Sequence, residues 1–505
     1  MNNTTIGMFV VIVVYLAMMV AIGIYFSKKN NDVSDFYLGG RKLGPIVTAM
    51  SAEASDMSSW LLMGLPGLAY LTGIADPGWT AIGLGIGTYI NWLVVAKRLR
   101  RYSAKVHAIT LPDFFSKRYR DNSRLLLAIA AIIIVVFFVP YTASGFAACG
   151  KLFSTLFDIP YFTAMVISAI VIVAYTALGG FLAASTTDLI QSIVMSIALI
   201  IVVCFGVSVA GGFDAVVDNA KSLSGYLGMF TRHVEGKSVP YGFLSIASTL
   251  AWGLGYFGMP HILLRFMGTE NEEKLSLSRR IATVWVIISM FVAIFIGVVG
   301  YSVSVAGEIP FFSSTPESET LIINLAILLS EHGAFAVILA GLILAGILAC
   351  TMSTSDSQLL AASSSVSQNL LQDVFKVNLS KKGAMIAARL TVVIIAVIGV
   401  ILASDPGSSV FNIVSFAWAG FGASFGPVML FALFWKRSNR NGALAGLIVG
   451  GSMVFIWKYL IAPLGGVFAI YELLPAFLCA CIAIVVVSLL TAAPDAEIVK
   501  EYEEI

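Results

Sequence analysis

The sequence predicts an all-α polytopic protein threaded through a membrane about thirteen times. Three observations carry that expectation. Apolar residues make up 59% of the 505-residue chain and charged residues 11%, too little polar surface to cover such a core in water. Mean hydropathy is +0.94, and many uncharged stretches reach the ~20 residues that cross a bilayer as helix. The 30 Lys and Arg residues are divided unevenly between alternate loops, as expected when cytoplasmic loops retain them.

Hydropathy places spans near 6–27, 44–70, 77–97, 124–150, 160–182, 186–210, 240–263, 281–304, 333–368, 383–403, 409–435, 441–462 and 467–492. With the N-terminus outside, only Lys151, Lys221, Arg232, Lys237 and Lys458 fall outside, and the other 25 basic residues fall inside. An even number of spans would scramble that split, so the N-terminus is read as out and the C-terminus as in. The first apolar run, Ile6 to Phe26, has no charge before it and Lys28 and Lys29 after it, the reverse of a signal peptide, and is read as a retained helix. Residues 212–239 form the largest outer loop, and the acidic tail Ala493 to Ile505 is read as solvated and mobile. A net charge of +2 gives no basic excess for nucleic acid. Cys149, Cys204, Cys350, Cys479 and Cys481 lie in apolar runs without a paired CxxC or histidine cluster and read as helix-packing residues.

Two nucleotide-binding patterns are rejected. Gly253 to Gly258 spells GxGxxG, but inside an apolar span with no preceding strand. Gly145 to Lys151 fits GxxxxGK, yet Leu152 stands where a magnesium-holding Ser or Thr is required. No ATP site follows.

Charge at bilayer depth costs roughly 2.5–3.5 kcal/mol per residue, so residues that persist there are functional candidates. The sequence offers four: Glu53, Asp56, Asp188 and Asp356. The first two lie in Ser51 to Trp60, a polar interruption of the second span backed by Gly64, Pro66 and Gly67. Ser and Asp offer the backbone competing hydrogen bonds, and unwinding frees carbonyls for a cation; a straight helix with back-bonded serines is the alternative. The seventh span is interrupted as well, by Gly253, Gly255, Gly258 and Pro260, with Trp252 and Tyr256 among them. The two interruptions stand five spans apart, and an odd offset inverts orientation, so they occupy matching places in two inverted halves. His261 reads as a hydrogen-bonded or interfacial histidine rather than a metal ligand. In the ninth span, Cys350 to Ser357 supplies hydroxyls that suit a hard cation such as sodium or, equally, close helix packing.

At these residues the sequence resembles the sodium/solute symporter family. The specific blocks are Tyr37 to Pro45, Ser55 to Gly67, Trp252 to Met267, Met352-Ser353-Thr354 and Trp418 to Gly422, and the likeness runs from about residue 6 to 490. It implies a leucine-transporter-like fold with alternating access around a midplane site. The implied division is a first helix and cytoplasmic loop (1–43), a first inverted repeat (44–211), an outer loop (212–239), a second repeat (240–436), two peripheral helices (437–492) and the tail (493–505).

The resemblance also implies site residues. Sodium falls to the carbonyls of Ala54, Met57 and Cys350 and the hydroxyls of Ser353 and Thr354, with Cys350 where relatives usually carry alanine. Asp56 and Asp188 match acidic positions used in ion coupling. A proline pocket maps to Ser58, Trp60, Gly64, Tyr141, Trp252, Tyr256 and Pro260; aromatic faces suit both the ring and the ammonium of proline. Glu53 and Asp356 depart from the relatives and read as a second cation site or exit path, or as locally bonded carboxylates. The expected protein is a monomeric importer of a bacterial cytoplasmic membrane, with sodium and L-proline as its partners and no ATP. Another family solute, a channel or a membrane sensor are the alternatives, the last two lacking a filter or an appended signalling domain.

Overall fold

The computed structural model describes residues 3–28 and 33–505; Lys29 and the first two residues of the sequence reading lie outside them. The protein is almost wholly helical. Among the described residues ten helices are long and apolar enough to cross a membrane, and three shorter apolar ones, Trp60–Thr72, Tyr161–Ala174 and Phe243–Phe257, lie at the remaining predicted positions.

Helix α1 (Asn3–Ser27) leads to α2 (Pro45–Asp56) and α3 (Leu65–Thr72), the two halves of the first interrupted helix. Then come α4 (Ala75–Lys105), α5 (Leu125–Phe157) and α6 (Tyr161–Val209). The sequence places two spans in α6; they are joined without a loop, through Gly180 at φ 66°, a left-handed conformation that suits glycine. The 212–239 region is not irregular: it holds the helix Phe213–Ser222 and an antiparallel hairpin, β1 (Thr231–Val234) and β2 (Lys237–Pro240), in the register Thr231 to Pro240.

The second interrupted helix is α7 (Phe243–Leu250), a tight 3₁₀ stretch Ala251–Phe257, and α8 (Pro260–Gly268). Extended backbone at Met259 and Pro260 at the first helical position start α8 afresh. The glycines of the false nucleotide motif are packing residues. A Cβ at Gly253 would strike the backbone of Gly83, one at Gly255 the Trp418 indole, and one at Gly258 the Phe421 carbonyl. The remaining long helices are α9 (Leu275–Val305), α10 (Ala334–Val374), α11 (Lys381–Leu402), α12 (Val410–Phe434), α13 (Arg440–Leu464) and α14 (Leu473–Leu490). Helices α10 and α12 are the most buried, and α10 packs against α1, α5 and α6, whereas α1 and α13 show most of their surface. Cys149 and Cys350 are buried as expected of packing residues, but Cys204 is exposed.

The starts and ends of the two interrupted helices are tied together. Leu43 N donates to Gly268 O at 3.1 Å and Glu270 N to Leu43 O at 2.9 Å, while Arg41 reaches the carbonyls of Met267, Ser103 and Ala108.

The tail departs from expectation: it is docked, not free. Helix α15 (Ala496–Glu503) pairs Glu497 and Glu501 with Arg120, Glu503 with Lys436, and the following Glu504 with Lys105. Tyr502 lies 4.7 Å from Arg98 Cζ and 5.4 Å from Arg118 Cζ. A run of acids reads as solvated only until the basic loops that face it are known. The Arg120 hydrogen bond and charge hold the Glu497 carboxyl below its usual range, and Lys105 does the same for Glu504. Docking is therefore complete above the ordinary Glu pKa and is lost as pH falls through the lowered values. Arg120→Ala is expected to speed amide exchange across Ala496–Glu503 severalfold with no change in the spans, which hydrogen-exchange mass spectrometry would read.

Candidate functional site

The site grows out of the first interruption. Helix α2 ends at Asp56, Met57 closes it at φ −74° and ψ 34°, and the chain resumes in a wide π-helical turn, Trp60–Gly64. Ser58 Oγ accepts from Trp60 N at 3.2 Å, a local bond that competes with regular helix. The carbonyls of α2's last turn are thus turned toward α10. Ser353 Oγ donates to Ala54 O at 2.7 Å and lies 3.2 Å from Cys350 O; Thr354 Oγ1 donates to Cys350 O at 3.1 Å. Four of the five expected sodium ligands therefore form one connected group of buried oxygens, and Met57 is the next residue of the same broken turn. Hard neutral oxygens of this kind suit an alkali cation.

Beside them lies an aromatic chamber. Trp60, Tyr141 and Trp252 line a cavity of about 10 Å³ with Asp56, Met57, Leu84, Val414 and Trp418. Trp60 and Trp252 stack at 5.8 Å, Phe411 lies within 6.4 Å of both, and Trp252 stacks on Tyr471 at 5.0 Å. Among the described residues Trp60 Nε1 is buried without a hydrogen-bond partner. Tyr256 donates to Asp56 Oδ2 at 2.5 Å and meets Trp418 edge-on at 5.1 Å, so it braces the carboxylate against the chamber wall. Gly64 and Pro260 do not line the cavity. A Cβ at Gly64 would stand 3.2 Å from Trp60 Cδ1, so glycine there gives the indole its place, and Pro260 starts α8. Ser58 is buried and bonds within its own turn. The volume holds about one water, so a solute of proline's size requires the indoles to part. The roomier cavities, about 330, 750 and 530 Å³, are apolar grooves between helices away from this chamber.

The sequence reading missed Trp418, Tyr471 and Phe411. The Trp418 block was visible as a family signature, but nothing in the chain order connects it with Trp252, whose carbonyl the Trp418 indole N–H bonds at 2.8 Å. Two buried charge pairs were missed as well. Arg265 and Lys151, counted in loops, are buried: Arg265 pairs with Asp188 at 3.1 Å and Lys151 with Glu319 at 2.6 Å. Glu319 also accepts from Ser409 Oγ and from the amides of Val410 and Phe411, which caps α12. Asp188 thus has a cationic partner. Glu53 caps no amide; its Oε1 accepts from Trp92 Nε1 at 2.8 Å. Asp356 Oδ1 accepts from Ser357 Oγ at 3.0 Å, the local bonding weighed for it. His261 is fully buried beside Phe138 and is not interfacial.

A family profile described as SSF, the sodium:solute symporter family, matches residues 36–450. The chain belongs to that family. It is therefore a sodium-coupled solute carrier and not an enzyme. This symporter chain is 42% identical to the sodium/proline symporter of Haemophilus influenzae over 97% of its own length and 96% of that protein's. It is 40% identical to the sodium/proline symporter of Escherichia coli (98% and 96%) and to the osmoregulated proline transporter OpuE of Bacillus subtilis (95% and 94%). Its fold is that of a solved Na+-coupled sialic acid symporter, with a TM-score of 0.79 at 20% identity over 97% of this chain and 99% of that one. It also resembles Mhp1, a nucleobase-cation-symport-1 family transporter, with a TM-score of 0.54 at 13% identity over 93% and 98%.

Proposed function

We propose that this symporter imports L-proline with sodium by alternating access across a bacterial cytoplasmic membrane, acting as a monomer with thirteen spans, N-terminus out and C-terminus in. The observation that carries the reading is the junction at Asp56 to Trp60, where a group of hard oxygens and an aromatic chamber share one broken turn. Sodium is assigned to the carbonyls of Ala54, Met57 and Cys350 and the hydroxyls of Ser353 and Thr354. Proline is assigned to the chamber between Trp60, Tyr141, Trp252 and Tyr256, its ammonium on the indole faces and toward Asp56. Binding both at one broken helix couples them, since each orders the turn that the other uses. Residues 44–211 and 240–436 are assigned as the two inverted repeats, each opening on an interrupted helix. The relatives named above, proline carriers along nearly their whole lengths, support the choice of proline over other family solutes.

The test is uptake of labelled proline into proteoliposomes. Saturable uptake that collapses when the sodium gradient is removed is expected; uptake indifferent to sodium, or competed by another solute and not by proline, would overturn the reading. Asp356→Asn is expected to keep proline binding and to change the rate of sodium release or the charge carried per proline. Its local bond to Ser357 lies beside the sodium oxygens of α10, and an unchanged rate and ratio would leave Asp356 a packing residue.

A further inference from the structure

Arg265, which the sequence places in a loop, stands where four elements cross. It is 1% exposed and its partner Asp188 is 0% exposed. Nε donates to Ser51 Oγ of α2 at 2.9 Å and Nη1 to the His261 carbonyl at 2.9 Å. Nη2 donates to Asp188 Oδ2 of α6 at 3.1 Å and to Ser357 Oγ of α10 at 2.5 Å, and the Phe181 ring lies 5.1 Å from Cζ. Asp188 Oδ2 also accepts from Ser51 Oγ at 2.6 Å, whereas Oδ1 is buried without a hydrogen-bond partner among the described residues.

The position of this cluster is set by two helical repeats. Ser51 lies one turn before Ala54 on α2, and Ser357 lies one turn after Ser353 on α10, whose carbonyl it bonds at 2.9 Å. The Arg265–Asp188 pair therefore sits one turn, about 5.4 Å of helix, from the proposed sodium oxygens along both helices. On the N-out topology that turn is the cytoplasmic one. A buried ion pair contributes little net stability compared with apolar packing, so stability alone does not account for it here. Asp356, the second carboxylate of the cluster, is held by the same Ser357 that Arg265 bonds, and a sodium ion that reaches the spare oxygen of Asp188 meets the guanidinium charge at their shared carboxylate.

We propose that Arg265 is the resident counter-cation of Asp188 and the inner plug of the sodium path. Sodium moving toward the cytoplasm takes Asp188 as Arg265 lets go, and Arg265 returns to the carboxylate once sodium has left. Arg265 is thus a positioning residue that acts through Asp188, and the inference rests on the sodium assignment above.

The test uses the full-length protein, with labelled sodium binding at alkaline pH and proline flux in proteoliposomes. Arg265→Gln leaves Asp188 without its cation: sodium half-saturation is expected to fall about tenfold and sodium-driven net uptake to slow by a similar factor, with proline exchange under saturating sodium on both sides nearly unchanged. Asp188→Asn removes the carboxylate that Arg265 bonds directly, and sodium half-saturation is expected to rise about tenfold. Asp188→Asn combined with Arg265→Gln should return sodium binding close to wild type, a non-additive result that a packing role does not produce. Arg265→Lys keeps the charge and should bind sodium as wild type does. Unchanged sodium binding in the single variants overturns the proposal, as does a parallel fall in net uptake and exchange, or a double variant no nearer wild type than either single one. Should Arg265→Gln fail to fold, Asp188→Asn and Arg265→Lys decide the matter. Failure of the sodium assignment would show separately, as wild-type sodium binding in a Ser353→Ala, Thr354→Ala background.

Discussion

Ser353→Ala and Thr354→Ala are each expected to raise the sodium concentration for half-maximal proline uptake by about tenfold or more, the consequence of losing one hydrogen-bonding oxygen from a charged site worth ~1.5–3 kcal/mol. Proline half-saturation at high sodium should move far less. The two hydroxyls meet the carbonyls of Ala54 and Cys350 within 3.2 Å, while neither residue lines the aromatic cavity. Both side chains are buried, and alanine at either position removes polar atoms without adding bulk, so the helix should persist. Uptake measured over a sodium titration at two proline concentrations checks the split. Unchanged sodium dependence in both variants would remove this group of oxygens from the transport site.

The opposite split is expected of Trp60→Ala. Its indole stacks between Trp252 and Phe411 and faces the cavity, so a bound solute loses a desolvated aromatic wall, worth on the order of 1–3 kcal/mol, or roughly five- to 150-fold in proline affinity. Sodium half-saturation at saturating proline should stay within about threefold of wild type. Because the indole also fills space that Gly64 leaves open, Trp60→Phe serves as the control: it keeps an apolar face and should recover much of the affinity. Wild-type proline affinity in a well-folded Trp60→Ala protein would move the substrate out of this chamber.

The interrupted helices were legible because their causes are local. Ser51 to Ser59 and Gly253 to Pro260 carry backbone competitors, glycines and a proline in runs otherwise apolar enough to span, and local chemistry of that sort acts wherever the helix is placed. The sodium oxygens were half legible: hydroxyls on one helix and freed carbonyls on another could be listed, but family resemblance was needed to join them. Buried charge was read less well. Arg265 and Lys151 read as loop residues because a cation near the end of an apolar run looks the same whether it reaches water or a buried carboxylate. The docking of the acidic tail is illegible in the sequence for a related reason, since Glu497, Glu501 and Glu504 meet Arg120 and Lys105 across more than 370 residues of chain.

What the sequence determined by itself is what one-dimensional patterns can hold: an all-helical membrane chain, the positions of its apolar segments, and the two points at which helices break. Burial length, hydropathy and backbone propensity are properties of neighbouring residues, and they survive without knowledge of the fold. The tertiary structure alone decided which side chains face one another across those breaks. It brought Trp418, Phe411 and Tyr471 to Trp252, bound Tyr256 to Asp56 and gave Asp188 the cation Arg265. Contacts between residues so far apart in the chain depend on how helices pack, through close approaches such as Gly253 on Gly83, and sequence spacing carries no record of them.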